Sequence, residues 1–229
     1  MNSIAEQLNE VRKQISAAAS AAQREASDIT LIAVSKTKPI TAIEDAYAAG
    51  QRHFGENYVQ EAVDKAAELK QFDDIVWHFI GPLQSNKTAA VAETADWVHS
   101  VDREKIARRL AQQRPATKPP LNVLIQVNID AEDTKSGVAP DAVNELAAFI
   151  AQQPELQLRG LMAIPAAAAS SAARKTSFQA MQGLYSQLQT QYPTVDTLSM
   201  GMSDDLDLAI LHGATMVRIG TAIFGARAR

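Results

Sequence analysis

Lys36 and Arg218 are the two residues of this chain hardest to explain as ordinary surface. The apolar run Ile29 to Val34 leads straight into Ser35-Lys36, and Arg218 sits inside the apolar run Met216 to Ile219. Alternate side chains of a strand share a face, so Lys36 falls with Ile32 and Val34, and Arg218 with Met216 and Gly220. If those faces point inward, two cations enter an apolar interior. That placement is costly unless an anion meets them or the charge is given up. Spacing alone leaves two plainer alternatives open, a strand-end lysine reaching solvent and an arginine held in a structural salt bridge.

A third feature suits an anion. Ser199-x-Gly201-x-Ser203, followed by Asp204-Asp205 and an apolar helical segment ending at Gly213, reads as a glycine turn leading into a helix capped by Ser203. Backbone N–H groups there, with those of Gly220 and Thr221, would form a phosphate cup, although the pattern also fits an ordinary N-capped loop. Asp204, Asp205 and Asp207 lack a histidine or further carboxylate at ligand spacing and suit the first turn of a helix, so no metal is expected. His53, His78, His99 and His212 form no paired zinc motif, and core or surface roles are expected for them. Dinucleotide-binding, P-loop and nucleophile-elbow signatures do not occur.

The elements that must position these residues follow from the hydrophobic pattern. Ile4, Leu8, Val11, Ile15, Ala18 and Ala22 form one face of a helix from about Ser3 to Arg24. The small Ala18 and Ala22 suit a helix lying on its own domain better than a coiled-coil seam. Eight apolar runs then alternate with helix-period segments: Ile29 to Val34, Arg52 to Phe54, Ile75 to Ile80, Trp97 to Val101, Val123 to Ile129, Leu158 to Ile164, Thr197 to Met200 and Met216 to Ile219. Eight parallel candidates predict an α/β fold, a closed (β/α)8 TIM-type barrel, rather than an open sheet of five or six strands. The 229 residues suffice for one such barrel, with residues 1–26 as an extra N-terminal helix of the same domain. Pro39 before Thr41-Ala-Ile-Glu44 predicts a capping box, and Gly50 the stop of that helix. Residues 114–120 read as a stiff loop, and 163–173 as a loop or a poor helix.

Composition removes other classes. With 22 Lys+Arg against 26 Asp+Glu and no basic block, a nucleic-acid partner is not expected. Zero cysteine excludes a disulfide framework, thiol catalysis and cysteine-ligated zinc. The start has no signal-peptide pattern, and no run approaches a membrane span, so a cytoplasmic protein without a membrane partner is expected.

The strand-end segments resemble the pyridoxal 5′-phosphate (PLP) homeostasis proteins, PLP-binding proteins built like the N-terminal barrel of alanine racemase, the PLP fold type III. The matching segments are Ile32-Ala-Val-Ser-Lys36, Phe54-Gly-Glu-Asn-Tyr-Val-Gln-Glu61, His78-Phe-Ile-Gly-Pro-Leu-Gln-Ser-Asn-Lys87, Val127-Asn128, Lys135-Ser-Gly137, Gly160-Leu-Met162, Ser199-Met-Gly-Met-Ser-Asp-Asp205 and Arg218-Ile-Gly-Thr-Ala-Ile-Phe-Gly225. They span nearly the whole chain; Pro165 to Ala173 matches least. The resemblance implies a covalent aldimine between PLP and Lys36, Arg218 at the pyridine nitrogen, Asn57 beside the ring and Met162 near it. It also implies Ser199, Gly201, Gly220 and Thr221 at the phosphate.

An arginine partner leaves the pyridine nitrogen unprotonated and the ring a poorer electron sink. Racemases and decarboxylases of this architecture add a C-terminal β-domain, whereas few residues follow Gly220 here. The expectation is therefore a monomeric carrier and buffer of PLP with no catalytic residue of its own, supplying apo-PLP enzymes. The alternative is a PLP-dependent amino-acid racemase, for which Tyr58 would have to serve as second base. Whether Lys38, Lys87 or Lys135 holds PLP secondarily is left open.

Overall fold

The computed structural model describes residues 3–132, 135–166 and 170–226. Eight parallel strands close into a barrel in chain order: β1 (Thr30–Val34), β2 (His53–Glu56), β3 (Val76–Phe79), β4 (Trp97–Val101), β5 (Leu121–Gln126), β6 (Leu156–Met162), β7 (Thr197–Ser199) and β8 (Met216–Ile219). The predicted TIM-type barrel is the observed fold, and the eight apolar runs are its strands, with ends displaced by a few residues. The seam is made by β1 and β8, paired from Thr30 opposite Met216 to Ala33 opposite Ile219.

Side-chain alternation sorts the strands into two cores. Phe54, Phe79, Val98, Val123, Ile125, Leu161 and Val217 face outward into the layer shared with the surrounding helices. Ile32, Trp97, Leu124, Met162 and Met216 fill the barrel interior, with Val76 beside them. The interior is thus a packed layer rather than a channel.

The first helix, α1 (Ile4–Ala21), is capped by Ser3 in a capping box with Glu6, and it buries Leu8, Val11, Ile15, Ala18 and Ala19. That face lies across the helices α2 (Ile40–Ala48), α8 (Leu206–Leu211) and α9 (Thr221–Phe224) of its own chain. The remaining helices are α3 (Val59–Glu68), α4 (Thr88–Thr94), α5 (Glu104–Gln113), α6 (Val143–Ala151) and α7 (Ser171–Gln191).

Two predicted caps differ from the structure. Pro39 itself is the N-cap of α2, so Thr41 already lies inside the helix and no capping box with Glu44 forms. The Ser203 cap is replaced by a turn in which Met202 N–H donates to Asp205 Oδ1 at 2.7 Å, so that Asp205 caps α8 by position. Gly50 does follow the end of α2, with φ of 86°. Within the ambiguous 163–173 stretch, residues 163–166 are loop and Ser170 caps α7 through Ala173 N–H. Residues 167–169 lie outside the described residues.

Candidate functional site

Arg218 stands at the centre of the C-terminal half of the barrel, beside Ile32 of β1 in register and 4% exposed. Its Nη1 donates to Ser199 Oγ at 2.6 Å and its Nη2 to the Ala163 carbonyl at 2.9 Å. Among the described residues it makes no ion pair with a carboxylate, so the structural salt bridge is not what the barrel contains. Burial pushes the guanidinium down to about 10, with Asp205 opposing. It therefore remains protonated at neutral pH and, having no lone pair to accept with, is a pure donor.

Ser199 passes that polarity on. Its hydroxyl is fully buried between Arg218 and His99 Nδ1, the latter at 2.9 Å. The buried serine hydrogen needs an acceptor of its own, and His99 Nδ1 is the one the described residues offer it, which assigns the hydrogen to His99 Nδ1. His99 Nε2–H is then directed at His78 Nδ1, 2.9 Å away, and His78 Nε2–H at His53 Nδ1, also 2.9 Å away. One hydrogen-bonded line crosses β8, β7, β4, β3 and β2, each imidazole carrying its proton on Nε2. His78 stacks on Trp97 with centroids 5.6 Å apart. Burial, followed by neighbouring His99 and His53, holds His78 well below the ordinary imidazole range. Burial and Arg218 do the same for His99. His53, half-buried and also lowered mainly by burial, ends the line in a cleft at the N-terminal end of the barrel with Arg12, Gln51 and Arg52.

Expecting separate core or surface roles for the four histidines misses this line. The available signal was parity: His53-x-Gly55, Val76-x-His78 and Trp97-x-His99 place one inward histidine on each of three consecutive strands.

Lys36 lies just beyond β1 and is half-buried, in a turn where Thr37 has φ of 62°. Behind that turn, Lys65 of α3 is 6% exposed. Its Nζ donates to the Ser35 carbonyl at 2.9 Å and meets Glu56 Oε1 at 2.8 Å and Glu61 Oε2 at 3.0 Å. Burial raises the Glu56 carboxyl despite Lys65 and Ser35. Burial would also raise Glu61, but the Thr37 N–H and Lys65 outweigh it and bring that carboxyl below its usual range.

The other expected residues gather around the same end of the barrel. Met162 is fully buried in the interior layer beside Ile32. Asn57 follows β2, and its Oδ1 is buried with no hydrogen bond among the described residues. Its backbone carbonyl occupies the place a Cβ at Gly81 would need, which accounts for glycine there. Gly201 has φ of 98° and is buried against Ala209 and Val217. Gly220 and the exposed Thr221 follow β8, where the backbone approaches Val34. The Ser199 hydroxyl is engaged with Arg218 and His99, deeper than Thr221.

A cavity of about 230 Å³ opens at this mouth between Asn57, Ile80, Gln126, Asn128, Lys135 and Ile164. Of the other lysines, Lys135 pairs with Glu132 at 2.7 Å. Lys38 donates to the carbonyls of Phe224, Gly225 and Ala226, and Lys87 is exposed. Three of the four exposed large hydrophobic residues among the described residues, Tyr58, Ile164 and Met202, follow strands at this end. No helix among the described residues is long and apolar enough to cross a membrane.

Residues 7–228 match the family described as "Alanine racemase, N-terminal domain". The chain is 56% identical over 229 residues to the "Pyridoxal phosphate homeostasis protein" of Escherichia coli (strain K12), covering 99% of this chain and 98% of that one. It is 55% identical over 227 residues to the protein of the same name from Pseudomonas aeruginosa, covering 99% and 97%. Among solved structures, PipY of Synechococcus elongatus PCC7942 with PLP bound superposes with a TM-score of 0.85 at 39% identity, over 97% of this chain and 100% of that chain.

Proposed function

This chain belongs to the family of pyridoxal phosphate homeostasis proteins, on the alanine racemase N-terminal-domain barrel, and from that premise we propose that it holds PLP reversibly in the barrel mouth as an intracellular carrier and buffer. Lys36 is the point of attachment and Arg218 the partner of the pyridine nitrogen. Asn57 and Met162 flank the ring, and Gly201, Gly220, Thr221 and the Ser199 region hold the phosphate. Residues 1–229 act as one domain, monomeric and cytoplasmic, with apo-PLP enzymes as recipients.

The residues present fit such a group. An orphaned buried acceptor, Asn57 Oδ1, faces no donor among the described residues. Close backbone approach at Gly220, 3.3 Å from a built Cβ to the Val34 carbonyl, brings the end of β8 against the end of β1. PLP supplies an aldehyde that condenses with a neutral amine and releases water, and a ring whose electron-withdrawing power depends on protonation of its nitrogen.

The observation that carries the reading is Arg218. Two of its five N–H donors are used by Ser199 and Ala163, leaving donors to offer a ligand. A guanidinium protonated at neutral pH can donate to a ring nitrogen but does not hand over its proton, so it favours holding the cofactor over driving carbanion chemistry. Lys36, in the turn just beyond the strand that pairs with β8, supplies the amine.

Borohydride reduction of the PLP-loaded protein followed by peptide mass spectrometry tests this. A pyridoxyl adduct on Lys36 is expected, and its absence there would refute the attachment. Assaying exchange of the α-proton in several amino acids separates carrier from racemase. Robust turnover abolished by Lys36→Ala would overturn the carrier reading.

A further inference from the structure

The turn bearing Lys36 is fastened on both sides by groups that face away from the barrel interior. Thr37 is β-branched with φ of 62°, a region such residues rarely occupy without something to hold them there. Its N–H donates to Glu61 Oε2 at 2.8 Å. The preceding carbonyl, of Ser35, accepts from Lys65 Nζ, and the Ser35 hydroxyl donates to Glu56 Oε1 at 2.6 Å. The same lysine joins the two carboxylates, so one ammonium buried under α3 ties both into a single cluster. On the other side, Lys38 Nζ donates to three successive carbonyls at the end of α9. Every polar handle of Ser35 and the N–H of Thr37 are thus spent on fixing the backbone around Lys36.

We propose that Glu61, Lys65 and Glu56 are positioning residues for Lys36: they impose the left-handed turn at Thr37 and thereby aim the amine at the aldehyde carbon of PLP. The inference rests on the proposed attachment at Lys36 and assigns these three residues a part in it. An ion-pair cluster serving only fold stability would not need to grip a strained turn. Charged groups pinned to the backbone around Thr37 hold the strain where a lysine must be presented with fixed geometry.

A positioning role can be separated from a structural one by comparing two ligands. Pyridoxine 5′-phosphate has the ring and phosphate of PLP but no aldehyde, so it does not engage the Lys36 amine covalently. The ratio of its Kd to that of PLP reads the covalent contribution, and Lys36→Ala sets the floor of that ratio. Glu61→Ala removes the acceptor of the Thr37 N–H from a partly exposed site, and Thr37→Gly removes the backbone constraint while relieving strain. In both variants the ratio is expected to fall about tenfold, the scale of a misplaced reacting group. Binding of pyridoxine 5′-phosphate should stay near wild type, and Glu61→Gln, which keeps an acceptor, should restore most of the ratio. Thr37→Gly should lose the ratio without losing thermal stability. An unchanged ratio in both variants would overturn the proposal, and so would equal weakening of both ligands. A wild-type protein without a trapped Lys36 adduct, and with a ratio already at the Lys36→Ala floor, would instead refute the attachment itself.

Discussion

His99 Nδ1 and Ser199 Oγ lie 2.9 Å apart across the barrel, joining β4 to β7 through the interior rather than around the wall. Ser199 also accepts from Arg218, so a cation on the last strand dictates where the proton sits on a histidine four strands away. Isotope-edited NMR should find His99, His78 and His53 neutral at pH 7.5 and protonated on Nε2. Ser199→Ala should release His99 from that constraint while Arg218 stays charged. An Nδ1–H tautomer at His99 in the wild type would contradict donation from Ser199 to the imidazole.

Stability should depend on pH through the same imidazoles. His78 and His99 are held well below the ordinary range, chiefly by burial. Once unfolded, they titrate near pH 6.5, so below that pH the unfolded state binds protons the fold does not. Their contribution is complete above about pH 6.5 and is lost as pH falls, by up to about 1.4 kcal/mol per pH unit for each group. Urea unfolding at pH 7.5 and 5.5 should show the loss, and His78→Gln should make it smaller. Equal pH dependence in wild type and variant would defeat the assignment.

Arg218→Lys keeps a charge but not the fork that spans Ser199 and Ala163. At a PLP concentration a hundred times the wild-type Kd, the wild-type fold should gain about 2.7 kcal/mol; a tenfold loss of affinity would cut this to about 1.4 kcal/mol. Thermal or denaturant unfolding with and without PLP measures the difference. Undiminished stabilisation in the variant would remove Arg218 from the site.

Gly81→Ala would put a methyl group into the Asn57 carbonyl, so either the loop after β3 or Asn57 must move. We expect a loss of about 1–3 kcal/mol in stability, the usual cost of overpacking, together with weaker PLP binding. Gly183 is the control: it is exposed in α7 with nothing within 4 Å of a built Cβ. Gly183→Ala should leave binding unchanged and stabilise the helix by about 0.5–1 kcal/mol.

Much of this molecule was legible in residue order because its signals are local. Short runs of three to seven residues mark the strands, and glycine marks the end of α2 at Gly50. Lys36 and Arg218 stood out because a cation in an apolar alternation is expensive wherever it occurs. Parity alone could place His53, His78 and His99 on inward faces, but their meeting in one line depends on the stagger of three parallel strands, which residue order does not show. The Lys65 cluster was hidden differently: a lysine on an amphipathic helix looks like surface until α3 is laid over β1 and β2. The two misplaced caps have a smaller cause, since a proline or a side-chain-closed turn can take the cap position from a neighbouring hydroxyl.

The seam between β1 and β8 places the strand leading to Lys36 beside the strand carrying Arg218, the first and the last strand of the barrel in chain order. Neither strand alone presents both the proposed amine and its cationic counterpart. A chain in which β8 has not yet closed on β1 would therefore lack that pair. Retention of PLP would then report closure of the barrel rather than formation of either strand alone.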